Sequence, residues 1–200
     1  MRHVKYILCL AALAFLLGCT EFGKVDQGRV VAFDSKENKV TFVRDKTAKP
    51  GATDYSMLPP VVFELPKDPV ETGPTPKAGL RMKLDTQRSQ ITLFDPKDQT
   101  FKVIAFKIHN LQENVDKDHP LVFYKDAGKA CTFPQVDKAK KTITIYSGRT
   151  KTLVTFSVPD EYFSLPDYAW DAGDEVRVYY KENGQALRFM NVTKTDIFKK

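Results

Sequence analysis

Cysteine and histidine are scarce in this chain, which has three of each among its 200 residues. The spacing of His109, His119 and Cys131 matches no zinc-binding pattern. Gly-x-Ser-x-Gly and P-loop patterns are also absent. The sequence therefore predicts no catalytic residues, no metal site and no cofactor, and we expect a protein that is not an enzyme.

A long apolar run is missing as well. The run Tyr6–Leu17 is too short to cross a bilayer as a helix, which takes about 20 residues. It follows two basic residues, Arg2 and Lys5, and ends in Leu16-Leu17-Gly18-Cys19. A short basic region followed by an apolar core of this size is typical of a signal peptide.

The end of this segment resembles the lipobox of bacterial lipoproteins, with Leu at −3, Gly at −1 and Cys at +1. The resemblance implies cleavage before Cys19, diacylglycerol on its sulfur and acylation of the new amine. More than one acyl chain is enough for stable anchoring. The residue directly after the cysteine is Thr20, not the Asp that marks inner-membrane retention in enteric-type sorting. We therefore expect an outer-membrane protein facing the periplasm. The alternative is an ordinary secretory signal with a chance cysteine.

Cleavage would change the composition of the chain. Loss of Arg2 and Lys5 lowers the formal net charge from +6 to about +4, which is too mild to indicate a nucleic-acid partner. Cys9 would be removed and Cys19 acylated, so Cys131 would remain without a disulfide partner. The fold must then be held by its hydrophobic core.

The rest of the chain is predicted to form β-strands. Eleven runs are rich in β-branched and aromatic residues, alternate in polarity, and are mostly bounded by Gly, Pro, Asp or Asn. They are Gly28–Phe33, Lys39–Asp45, Pro60–Leu65, Leu80–Asp85, Ser89–Phe94, Thr100–Ile108, Pro120–Asp126, Lys141–Gly148, Lys151–Val158, Asp174–Tyr180 and Ala186–Lys194.

An internal repeat organises these runs. Phe33-Asp34 and the following hairpin match Val136-Asp137 at an offset of 103 residues, "VVFELP" matches "VTFSVP", and "AGLRMKL" matches "AGDEVRV". A third copy of the hairpin alone begins at Phe94-Asp95. The Asp of each hairpin is expected to bond backbone N–H groups in its turn.

The repeat predicts an all-β fold of two tandem, related, small antiparallel barrel units that resemble the OB type. The predicted organisation is a signal peptide (1–18), an acylated tether (19–27), a first β unit (28–112) and a second β unit (113–200). One larger antiparallel sandwich is the alternative, since the halves could share strands. As a whole, the chain resembles uncharacterised bacterial envelope lipoproteins with a domain of unknown function.

The segment Asp160–Glu175 concentrates aromatic and acidic residues and follows the third strand of the second half. Its counterpart in the first half, "KDPVETGPTPKA", has no aromatic residue. The segment is therefore either a structural plug of the second unit or a binding surface. The candidate binding residues are Tyr162, Phe163, Asp167, Tyr168, Trp170 and Asp171.

Seven basic residues lie between Lys125 and Lys151, and they favour either solvated loops or contact with an acidic partner. We expect a membrane-anchored protein that binds or scaffolds as an accessory of a larger envelope complex, with a possible protein partner in the envelope. The alternative is a ligand-carrying or enzymatic lipoprotein with a pocket between the two units. Clustered titratable residues in such a pocket would favour the alternative.

Overall fold

A computed structural model describes residues 22–47 and 52–195. The predicted signal peptide, its lipobox and Cys19 lie outside the described residues. Fourteen strands are formed: β1 (Lys24–Asp34), β2 (Lys39–Arg44), β3 (Met57–Glu64), β4 (Arg81–Asp85), β5 (Gln90–Asp95), β6 (Thr100–Ala105), β7 (Lys107–Gln112), β8 (Phe123–Tyr124), β9 (Lys129–Ala130), β10 (Gln135–Asp137), β11 (Thr142–Ser147), β12 (Thr152–Ser157), β13 (Glu175–Tyr180) and β14 (Ala186–Asn191).

Antiparallel pairing joins these strands, and the predicted all-β fold is confirmed. The helical structure of the described residues is confined to two short 3₁₀ helices, Asp160–Ser164 and Asp167–Trp170. None of the described residues belongs to a helix long and apolar enough to cross a membrane.

The first unit is a five-stranded sheet with the order β14-β13-β1-β2-β3. Strand β1 pairs with β13 through its first half and with β2 through its second half. The two edges meet at one end, where the Glu64 N–H donates to the Gly184 carbonyl oxygen at 2.8 Å. The core inside this sheet is built around Phe42, Phe63 and Phe189.

The second unit combines a four-stranded sheet, β10-β11-β12-β7, with a three-stranded sheet, β4-β5-β6. Phe106 alone separates β6 from β7, so residues 100–112 form one bent segment that belongs to both sheets. The second core lies between them and includes Ile91, Ile143, Phe156 and Trp170. Across the described residues the sheets are open rather than closed into barrels.

The two units are nested in sequence rather than consecutive. Residues 66–174 lie between the third and fourth strands of the first unit. Each unit contains strands from both sides of the boundary expected between residues 112 and 113. The alternating pattern of β13 suits any half-buried strand, and nothing in that pattern specifies β1 as its partner.

The internal repeat corresponds to real structure in the hairpins. Val40 pairs with Phe63, and Ile143 pairs with Phe156 at the equivalent register. The Asp34, Asp95 and Asp137 carboxylates each accept a hydrogen bond from a backbone N–H in their own turn, at 2.8–2.9 Å, as predicted. After the Ala-Gly turns β13 pairs with β14 as β4 pairs with β5, but the equivalence ends there, because β13 also pairs with β1 whereas β4 is the edge of its sheet.

Candidate functional site

The segment 160–175 packs its largest side chain inward. Trp170 is 1% exposed and belongs to the second core, and Phe163 and Tyr162 pack against that core while partly exposed. Tyr168 is 46% exposed. Trp170 and Phe163 therefore close the second unit, and Tyr168 is the aromatic residue of this segment that faces solvent.

The first unit explains why only one half of the repeat needs aromatic residues here. Its corresponding connection lies along β14, where the Gly73 N–H donates to the Phe189 carbonyl oxygen and the Phe189 N–H donates to the Glu71 carbonyl oxygen. Backbone pairing closes the first unit. The second unit is closed by aromatic side chains instead.

Asp167 and Asp171 have different surroundings. Asp167 is exposed at the start of the second 3₁₀ helix. Asp171 is half-buried and forms an ion pair with Lys77, and its backbone carbonyl accepts a hydrogen bond from the Arg81 N–H at 2.9 Å. Asp171 is thus part of the packing between the two units.

An apolar groove of about 400 Å³ runs beside the exposed tyrosine. Tyr162, Leu165 and Tyr168 form one wall, and Phe94 and Ile104 contribute to the other. We call it the tyrosine groove. Lys97 and Lys102 from the β5–β6 hairpin and Glu161 also line it.

A larger cavity, of about 630 Å³, lies between the two units. Arg29 reaches it from β1, residues 52–56 from the loop before β3, Arg81 and Lys83 from β4, and Arg149 from the turn between β11 and β12. We call it the inter-unit cavity. Its described lining also carries seven hydroxyl side chains: Thr53, Ser56, Thr86, Thr92, Ser147, Thr150 and Thr152, with Tyr55 as a further phenol.

Arg81 contributes a buried guanidinium to this cavity, near two other arginines. Its Nε donates to the Trp170 carbonyl oxygen at 2.9 Å, and neither of its terminal nitrogens has a hydrogen-bond partner among the described residues. Burial lowers the pKa of Arg81 to about 10, the nearby charges of Arg29 and Arg149 lower it too, and Asp171 acts in the opposite direction. The side chain stays charged at neutral pH, surrounded mainly by like charge.

Arg29 is held in place by both units, and its Nη1 donates to the Arg81 and Met82 carbonyl oxygens of β4 at 3.4 Å. Its guanidinium lies 3.3 Å from the Glu175 carboxylate and stacks on the Tyr55 ring, with 5.0 Å between the guanidinium carbon and the ring centroid. The Tyr55 hydroxyl donates to the same carboxylate at 3.2 Å. Burial is the largest cause that raises the pKa of Tyr55 to about 12, so this phenol is neutral.

The lining of the inter-unit cavity has excess positive charge. Arg29, Arg81, Lys83 and Arg149 face a single carboxylate, Asp54, among the described lining residues. Hydrogen bonds from Ser56 lower the pKa of Asp54, which is therefore ionised at neutral pH. Arg29 is paired with Glu175, and the Lys83 ammonium lies 3.4 Å from the Asp85 carboxylate.

Two cations in this lining form no ion pair with a described residue. Within the part of the chain that the structure describes, Arg81 and Arg149 form no ion pair, and Arg149 has no hydrogen-bonded partner. Of the six lysines in the basic region predicted between Lys125 and Lys151, three are paired. These pairs are Lys140 with Asp137, Lys141 with Asp160, and Lys151 with Asp116.

One serine–histidine pair exists outside both cavities. His109 Nε2 lies 2.9 Å from Ser157 Oγ on the exposed face of β7 and β12. Neither residue lines the inter-unit cavity or the tyrosine groove, and no carboxylate bonds the other ring nitrogen of His109 among the described residues. Cys131 is a half-buried free thiol just after β9. Across residues 22–47 and 52–195, no group of three His, Cys, Asp or Glu side chains could hold a metal ion.

Sequence reasoning did not identify the arginines of the cavity. Arg29 and Arg81 occupy polar positions of alternating strands, which is where solvent-exposed residues are expected. The repeat contains one sequence feature related to this location. Arg81 aligns with Glu175 after the two Ala-Gly turns, and both side chains lie at the junction of the units.

Comparison with family models matches residues 21–200 to a domain of unknown function, DUF4881. No curated protein matches the chain. No solved structure matches it.

Proposed function

The chain belongs to the DUF4881 family, and we propose that it is a lipid-anchored envelope protein that binds a phosphate-bearing ligand in the inter-unit cavity without transforming it. The observation that supports this proposal is the convergence on one cavity of Arg81 and Arg149, neither of which forms an ion pair with a described residue.

The anchor in this proposal is Cys19. The basic, apolar and lipobox segments of the first 19 residues support lipidation, and Thr20 supports sorting to the outer membrane with the body in the periplasm. Phe22, the first described residue, follows Cys19 by only three positions. The folded body would therefore lie close to the membrane, not on a long stalk.

The charge of the cavity supports a dianionic ligand. Two guanidinium groups that form no ion pair among the described residues match the charge of about −2 on a phosphomonoester at neutral pH. Guanidinium N–H groups form a planar fork that binds phosphate oxygens with two parallel hydrogen bonds. The hydroxyl groups of the lining supply further donors, and a volume of about 630 Å³ accommodates a small organic molecule.

The groups in the cavity support binding without catalysis. A transferred phosphoryl group needs a metal ion or a base that positions its nucleophile. The described lining provides Asp54 as its carboxylate and contains neither histidine nor cysteine. Asp54 is committed to hydrogen bonds within its own loop, where its carboxylate accepts from the Ser56 N–H at 2.9 Å.

Titration calorimetry with glycerol 3-phosphate tests the ligand proposal on the mature protein in detergent. We expect saturable binding that Arg149→Gln weakens roughly tenfold or more, since a hydrogen bond to a charged group contributes about 1.5–3 kcal/mol. Arg149 is exposed and bonds no described partner, so its loss should leave the fold intact. Arg88→Gln removes the same charge from an exposed turn outside the cavity and serves as the matched control. Equal affinity in the two variants would refute the site.

A second candidate function is the binding or scaffolding role in a larger envelope complex. The tyrosine groove favours it, because Tyr168 is exposed beside an apolar wall at a position that closing the second unit does not require. Tyr168→Ala should then reduce recovery of a partner from detergent-solubilised membranes. Arg149→Gln should not, and this difference separates the two functions.

A further inference from the structure

Four exposed apolar side chains surround the start of β1. Phe22 is 94% exposed and Val25 is 56% exposed, and Tyr179 on β13 and Leu187 on β14 are exposed as well. Val25 and Tyr179 are directly paired across the sheet, so their side chains project from the same face. Tyr179 and Leu187 line one shallow hollow. We call these four residues the anchor-proximal surface.

The surface is joined to the N-terminal segment. The Tyr179 ring lies over Gly23, and a Cβ at that position would occupy the space of the ring. Glycine thus lets the chain run directly under the aromatic ring, and a larger residue would have to displace the ring. The contact connects β13, more than 150 residues later in sequence, to the segment that leads to Cys19.

The length of that segment limits how far the surface can be from an anchored cysteine. Cys19 and Phe22 are three residues apart, so their Cα atoms are at most about 11 Å apart in a fully extended chain. Interfacial apolar groups bury about 5–10 Å into the boundary between headgroups and acyl chains. Phe22 is within this range of an acylated Cys19, and the paired strands β1, β13 and β14 bring the other three residues to the same end.

We propose that the anchor-proximal surface rests on the lipid bilayer and fixes the orientation of the folded body above it; this inference depends on the proposed acylation of Cys19. The contact is mainly apolar. Arg188, beside Leu187, is bound to the Glu71 carboxylate at 2.6 and 3.1 Å, and Arg177 donates to the Gln27 side chain at 2.8 Å. Lys24 and Lys181 are exposed nearby and form no ion pair with a described residue, so anionic lipids should strengthen the contact. The four apolar side chains should still form it on neutral lipids and in high salt.

Tryptophan quenching by brominated lipids tests the proposal. The lipidated protein is reconstituted into phosphatidylcholine vesicles whose acyl chains carry bromine, with Phe22→Trp, Leu187→Trp or Val103→Trp introduced singly. Val103 is an exposed residue of β6, in the second unit, and provides the control. The native Trp170 is buried in the second core and contributes a constant background.

We expect the added fluorescence of Phe22→Trp and Leu187→Trp to be strongly quenched and that of Val103→Trp to be unaffected. Leu187 is decisive, because it is distant from Cys19 in sequence and approaches the bilayer only if the surface does. Quenching of Phe22→Trp without quenching of Leu187→Trp would overturn the proposal.

Failure of the anchor gives a different result. Vesicle flotation and the mass of the N-terminal peptide report acylation of Cys19 independently of fluorescence. A protein that is not acylated and does not float contradicts the anchor and this inference together. A protein that floats while all three tryptophans remain unquenched contradicts only the orientation.

Discussion

Truncation of Trp170 should strongly destabilise the protein. The indole is 1% exposed in the second core, and the sequence has no second tryptophan that could replace it. Trp→Ala changes in cores typically cost about 3–5 kcal/mol, because transfer free energy is lost and a cavity remains. For a protein of this size, 1 kcal/mol corresponds to about 2–4 °C in melting temperature. Trp170→Ala should therefore melt roughly 6–20 °C below the parent.

The matched control is Tyr168→Ala, two residues away on the same 3₁₀ helix. Tyr168 is 46% exposed, so its truncation should change the free energy of unfolding by about 0.5 kcal/mol or less. Circular dichroism melting of both variants in the same detergent provides the comparison. If Trp170→Ala melts with the parent, the segment 160–175 is not the closure of the second unit, and the reasoning from burial is wrong.

The same variant should also affect the inter-unit cavity. The backbone carbonyl of Trp170 holds Arg81 Nε at 2.9 Å, and the buried indole is what fixes the helix that carries this carbonyl. Below its melting temperature, Trp170→Ala should bind glycerol 3-phosphate more weakly than Tyr168→Ala does. Equal binding would show that Arg81 is positioned without the indole.

Three further outcomes follow from the sequence and the described geometry. Cys19→Ser should abolish acylation and release the protein from membranes, and a variant that still fractionates with membranes and is processed at the same site would contradict the lipoprotein proposal. The affinity for glycerol 3-phosphate, measured by calorimetry, should be constant from about pH 7 to 9. It should fall at lower pH as the phosphate takes up its second proton near pH 6. It should also fall at higher pH as Arg81 loses its proton near its pKa of about 10. Gly79→Ala should lower the free energy of unfolding by about 1–3 kcal/mol, because its Cβ would meet the backbone of Gly173. Gly148→Ala is the control and should melt like the parent, because its Cβ would have an ordinary contact at 3.7 Å.

Local structure was predictable because its signals are local. Turn aspartates and alternating polarity identified the hairpins, and the repeat predicted the equivalent registers of Phe63 and Phe156. The predicted strand Pro120–Asp126 is wrong over most of its length, because only Phe123–Tyr124 pairs, with Lys129–Ala130. That pair forms a small two-stranded sheet of its own.

The nesting of the two units was not predictable from these signals. Strand β13 follows a turn that repeats the turn before β4, and it pairs with β14 in its own half of the chain, yet its other neighbour is β1 from the first half. The nested arrangement brings Gly79 and Gly173 together, and each leaves no room for a Cβ beside the other's backbone. Such an approach is a property of two distant segments together. The arginines of the inter-unit cavity were missed for the same reason, because they converge only after nesting.

Strand β1 connects the two proposals and limits the source of the ligand. Val25 belongs to the anchor-proximal surface and Arg29 lines the inter-unit cavity, and four residues of antiparallel strand separate them by about 14 Å. The cavity would then lie near the headgroups, so a phosphate could come from a soluble phosphomonoester or from a lipid. A lipid would have to lift acyl chains out of the bilayer, at about 0.8 kcal/mol for each CH₂ exposed, toward a lining of guanidinium and hydroxyl groups. We therefore expect a soluble ligand. Displacement of glycerol 3-phosphate from the anchored protein by phosphatidic acid in the same vesicles, but not by phosphatidylcholine, would show that the cavity binds a lipid headgroup instead.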